Sequence, residues 1–90
     1  MDRADAYAAL VAELEQWRLR PQGELALLVG AAPSLRMVHL RGEPVTLEVS
    51  VSWVDASRRG FRIEALANGS SHWLTERLSE RIVVPKESPE

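Results

Sequence analysis

His39 and His72 are the only histidines in this 90-residue chain, and cysteine is absent. Disulfides, thiolate metal sites and thiol nucleophiles are therefore ruled out. A zinc site needs three or four converging ligands, and neither histidine belongs to a local ligand cluster of the HExxH kind. The serines lack the G-x-S-x-G setting of a nucleophile elbow. The dispersed glycines form neither a P-loop nor a dinucleotide fingerprint. Glu48 and Glu64 are the carboxylates that a simple sheet register brings closest, and acids held together can perturb each other's pKa values. On an open sheet face with Arg62 beside Glu64, ordinary surface charge is the better reading. The expectation is no catalytic residue, no metal and no cofactor.

These side chains depend for their placement on Pro44-Val45-Thr46-Leu47-Glu48-Val49-Ser50-Val51-Ser52-Trp53. Apolar and polar residues alternate there without a slip, the period of a strand with one buried face. Val45, Leu47, Val49, Val51 and Trp53 share one side, and Thr46, Glu48, Ser50 and Ser52 the other. Leu35 to Arg41 reads as the preceding strand. A two-residue turn at Gly42-Glu43 with glycine first would be type II′. It sets Val38 against Leu47, Leu40 against Val45, His39 against Thr46 and Met37 against Glu48. After Trp53, residues 54–60 contain a turn, and Phe61, Ile63, Ala65 and Ala67 alternate. Phe61 opposite Trp53 puts Ile63 against Val51, Ala65 against Val49, Glu64 against Ser50 and Arg62 against Ser52.

Asn68-Gly69 is a strong hairpin signal. It also begins a glycosylation acceptor pattern with Ser70, which means only a turn when no secretion signal is present. A tight turn there aligns Ile63 with Leu74 and turns Trp73 outward beside Glu64. The expected continuation is a fourth strand at 72–76, a turn near Ser79 and a short strand from Ile82 to Val84. Leu74, Leu78 and Ile82 also allow a helix over 71–83.

The layer over the apolar face is expected from the N-terminus. Residues 2–19 read as a helix capped by Asp2, with Tyr7, Leu10, Val11, Leu14 and Trp17 as its buried stripe. Glu15 and Arg18 can pair at i, i+3. Residues 21–30 allow a short buried strand at Leu25 to Val29, but favour a short second helix with Pro21 at its first position and Gly30 at a left-handed C-cap. The small Ala65 and Ala67 leave room beneath them for Trp17 or Tyr7.

The length is that of one domain, here residues 1–85, with 86–90 as a solvated tail. The predicted fold is α+β: an N-terminal helix and a short second helix packed on one face of a four-stranded antiparallel meander. Residues 1–20 carry Asp2, Asp5, Glu13 and Glu15 where a signal peptide needs an apolar run, and no run approaches the roughly 20 residues that span a bilayer. A cytoplasmic protein without a membrane partner is expected. A net charge of −2 argues against non-specific nucleic-acid binding. Lys86 is the only lysine, a bias that GC-rich coding produces, so the arginines say less about anion recognition than they otherwise would.

What remains is the outer face. Met37, His39, Glu48, Arg62, Glu64, Leu66 and Trp73, with Arg58 and Arg59 at a hairpin tip, form the candidate partner-binding surface, because tryptophan, arginine and methionine are enriched at interfaces. The expected partner is a protein. Homodimerisation through sheet edges or faces is a second option. A small-ligand pocket or enzyme site between helices and sheet, under Ala65 and Ala67, is the alternative.

Tyr7, Glu13-Leu14, Glu24-Leu25, Leu28 and Gly30, followed by Val49-Ser50-Val51-Ser52-Trp53, give an order of features that resembles a loose group of short bacterial proteins. Those proteins have an N-terminal helix, an antiparallel meander and no assigned function. The resemblance spans most of the chain, rests on fold-determining residues, and implies strand for 72–76. It supplies no catalytic residues.

Overall fold

The strict alternation along β2 (Glu43–Trp53) buries Val45, Leu47, Val49 and Val51 and leaves Thr46, Glu48 and Ser50 half-covered on the other side. The computed structural model describes residues 2–70 and 75–86, and the side chains of all of these except Ser70, Thr75 and Glu76. In chain order, α1 (Arg3–Arg18) and α2 (Gln22–Leu28) precede β1 (Ser34–Leu40), β2, β3 (Gly60–Ser70) and β4 (Thr75–Pro85). The strands form one antiparallel sheet in the order β1-β2-β3-β4. Both helices pack on its inner face, α1 over β3 and β4 and α2 against β2. The chain is therefore an α+β meander with one helical layer.

The β2–β3 register is the predicted one: Trp53 faces Phe61, Val51 faces Ile63, Val49 faces Ala65, Ser50 faces Glu64 and Ser52 faces Arg62. Trp53 and Phe61 stack with ring centroids 4.8 Å apart, within the separation that favourable aromatic pairs adopt. The ladder reaches Val45↔Gly69 and goes no further toward Pro44, which has no N–H to offer β3.

The first hairpin differs from its prediction. Its two-residue turn is Arg41-Gly42, not Gly42-Glu43, and Leu40 pairs with Glu43. Both turn residues have positive φ, 52° and 79°, which defines a type I′ turn. The register moves by two residues, so Val38 meets Val45, Met37 meets Thr46 and His39 meets Pro44. A shift of two preserves every face. Arginine is an unexpected left-handed residue, and the Arg41 side chain is held by an ion pair with Asp5 of α1.

The second correction concerns Asn68-Gly69. These residues lie inside β3, paired with Arg77 and Glu76, and make no turn. β4 is one strand of 11 residues with no break at Ser79, and Ile63 faces Ile82 rather than Leu74. The fourth strand thus runs well past 72–76, and the helical alternative fails over 75–85. Trp73 and His72 lie outside the described residues. Lys86, read as tail, donates its N–H to the Arg59 carbonyl at 2.9 Å.

The α1 stripe is rotated relative to its prediction. Asp2 caps the helix by accepting from the Asp5 N–H, and Glu15 pairs with Arg18. The buried residues, however, are Ala6, Leu10, Glu13, Leu14 and Trp17, while Tyr7 is 51% exposed and Val11 is also exposed. Two causes act together. Ala6 lets the helix approach the sheet closely, and Glu13 finds donors inside: Trp17 Nε1 at 3.3 Å and the Arg36 guanidinium. A buried carboxylate is tolerated only when so partnered. Trp17 shares one buried cluster with Ala65 and Ala67; Tyr7 does not. α2 forms as expected, with Pro21 as its N-cap and Gly30 at φ 78°. Val29 then bridges to Val51, beside β2 just beyond where β1 stops.

Candidate functional site

The registers turn the outer face into a grid. One row across the sheet reads Leu35, Glu48, Leu66, Ser79, and the next reads Met37, Thr46, Asn68, Arg77. On the other side of the first row lie Ser50, Glu64 and Arg81, then Ser52, Arg62 and Val83. Leu35 and Met37 stand at the β1 edge, 68% and 63% exposed, and Leu66 lies two strands away on β3, half-buried beyond Glu48. The arginines Arg77 and Arg81 are exposed along β4. The buried core lies entirely on the opposite face, so no described element covers this one.

Of the predicted surface residues, Met37, His39, Glu48, Arg62, Glu64 and Leu66 do share this face. Glu48 and Glu64 are diagonal neighbours, with Arg81 directly across from Glu64. Glu64, Ser79, Glu80 and Arg81 line a shallow open depression between β3 and β4. Arg62 turns toward the β2–β3 connection, where a guanidinium nitrogen lies 3.5 Å from the Val54 carbonyl.

Arg58 and Arg59 lie elsewhere. The Arg58 guanidinium lies 5.5 Å from the centre of the Trp53 ring, and Lys86 Nζ lies 5.7 Å from it, both within cation–π range. Arg59 pairs with Asp55 at 3.1 Å. Burial pushes the Asp55 carboxyl up, but hydrogen bonds from the Arg59 side chain and backbone outweigh it and hold the group below the usual carboxylate range. These residues form a second, basic and aromatic feature at the end of the sheet, separate from the outer face.

Leu35, Arg77, Arg81 and Val83 belong to the outer face and escaped the sequence reading. The β4 residues were legible in principle, since Leu78, Ile82 and Val84 point inward at even spacing. Glu80, also on the inner side, interrupts that alternation. Among the described residues, no group of three or more His, Asp or Glu is placed to hold a metal ion, and no helix is long and apolar enough to cross a membrane. The chain matches no known family model, no curated protein and no solved structure. Its functional reading therefore rests on the geometry of this face.

Proposed function

We propose that the chain is a small non-catalytic protein-binding module, of the accessory or immunity type and acting in a bacterial cytoplasm, that engages a protein partner through its outer sheet face. One observation carries the reading: a face that no described element covers exposes Leu35 and Met37 side by side on β1, with the half-buried Leu66 two strands away beyond Glu48. Exposed apolar residues scattered singly need no explanation, whereas apolar side chains set among charged and polar ones on one uncovered sheet face have the composition of an interface. The exposed apolar residues of the helical layer, Leu19 and Leu27 among them, belong to different elements. Arg77 and Arg81 form no ion pair among the described residues, and the partner's rim would supply acids to meet them.

The test is capture of the partner from host lysate by wild type, Leu66→Glu and Met37→Glu. Both positions face outward, so each variant should melt within about 1 kcal/mol of wild type while losing the partner. Retention of the partner by both variants, with the fold intact, would sink the proposal. Trp73→Ala extends the test to a residue outside the described ones.

A further inference from the structure

The two edges of the sheet are guarded very differently. Val54 donates to the Gly60 carbonyl, so the even-numbered residues of β2 direct their backbone groups to β3 and the odd-numbered ones to β1. With the pairing Leu40↔Glu43, the even residues of β1 point to β2. The N–H and C=O groups of Leu35, Met37 and His39 must then face away from the sheet. At the β4 edge two of the equivalent groups are already occupied. The Arg81 N–H donates to the side chain of Glu80 at 3.2 Å, the Pro85 carbonyl accepts from Gln22 at 2.9 Å, and Arg77 and Arg81 add charge. Such devices prevent strand addition. β1 has none of them: its one charged residue, Arg36, is drawn inward to Glu13, and it contains neither proline nor lysine.

We propose that β1 is a self-association edge, pairing antiparallel with β1 of a second copy about a twofold axis through Met37 and joining two four-stranded sheets into one. A second copy fits for three reasons. An antiparallel edge is complementary to itself, each donor meeting the partner's acceptor. With Met37 opposite the partner's Met37, Leu35 faces the partner's His39, and the outward groups of both strands give about six backbone hydrogen bonds. Adjacent registers are worse. Moving the axis to Arg36 opposes two like charges and brings Pro33, which lacks an N–H, into the ladder. Moving it to Val38 brings the left-handed Arg41 opposite Leu35 and loses the end pairs. The favoured register also groups Leu35 and Met37 with the partner's Leu35 and Met37 on one face. The edge shares Leu35 and Met37 with the outer face but does not involve Leu66, so Leu66→Glu, two strands away, should leave association unchanged while abolishing partner capture.

Sedimentation of the full chain over a concentration series tests the proposal. The mass should rise from 10.0 kDa toward twice that value. Met37→Pro removes only an outward-facing donor, a position where an edge strand tolerates proline, and should hold the protein at the monomer mass with its circular dichroism retained. The register is read independently with single-cysteine variants, because the chain has no cysteine of its own. A short thiol-to-thiol crosslinker should join Met37→Cys copies efficiently. It should fail with Leu35→Cys, whose two copies lie about 13 Å apart along the strands. A wild-type chain that stays monomeric up to about 1 mM, where even small interfaces associate, overturns the proposal. So does equal crosslinking at both positions, or a monomer that takes up a foreign extended peptide at β1.

Discussion

Replacing Arg36 by alanine removes the guanidinium that reaches from β1 to the Glu13 carboxylate on α1. The Glu13 side chain is 8% exposed and that of Arg36 57%, so the pair is buried at one end only. A hydrogen bond to a charged group contributes about 1.5–3 kcal/mol, and an exposed ion pair about 0.2–1 kcal/mol. The solvent-screened guanidinium places the loss between these, at about 1–2 kcal/mol, or roughly 5–15 °C in the melting of a domain this size. The carboxylate left behind keeps only the Trp17 indole N–H at 3.3 Å. Glu13→Gln retains an acceptor for that indole while removing the charge. The double variant Arg36→Ala/Glu13→Gln should therefore be more stable than Arg36→Ala alone. Urea unfolding followed by tryptophan fluorescence measures all three. An Arg36→Ala variant within about 0.3 kcal/mol of wild type, or a double variant less stable than the single, would refute this account of why a glutamate lies in the core.

Two further outcomes follow from the same structure. Asn68 sits within β3, and its Oδ1 is buried without a hydrogen-bond partner among the described residues; Asn68→Val should raise stability by about 1 kcal/mol in chemical denaturation, and a loss would indicate that Asn68-Gly69 is a turn after all. The Asp2 carboxyl is held below its usual range, first by the Asp5 N–H, and Asp55 by the Arg59 bonds that outweigh its burial. Carboxyls depressed in the folded state stabilise it fully above their ordinary value near 4 and lose that contribution as pH falls through the folded value. Thermal melts should thus be flat from pH 7 to 5 and fall below about pH 4. Asp2→Ala should make that fall shallower, and an unchanged slope would remove the cap from the explanation.

The fold was readable where pattern and chemistry agreed. Alternation in β2 and β3, supported by the Trp53–Phe61 pair, located their register to the residue. The Asp2 cap was equally plain, whereas α2 had a short buried strand over Leu25 to Val29 as its rival and was favoured on helical spacing and its Pro21 and Gly30 ends. The misreadings came where a tertiary contact outweighs a local preference. Glycine-first turn chemistry pointed to Gly42-Glu43, but Arg41 accepts a left-handed conformation while paired to Asp5. Asn68-Gly69 has the composition of a turn, yet pairing with β4 draws it into the ladder. Glu13 belongs by type on a solvated face and is buried because Trp17 and Arg36 donate to it. The outer face was legible in outline from residues 46–66; its β4 half was hidden by the misplaced hairpin.

The central claim, that the outer sheet face takes the protein partner, is tested most directly by photo-crosslinking in host lysate from a reactive residue placed at single positions. Leu66 and Val83 report the outer face, while Tyr7 and Leu27 report exposed apolar positions on the helices. One partner band from Leu66 and Val83, with none from Tyr7 and Leu27, is the predicted result. A partner captured from the helical positions and absent from the sheet positions would contradict it.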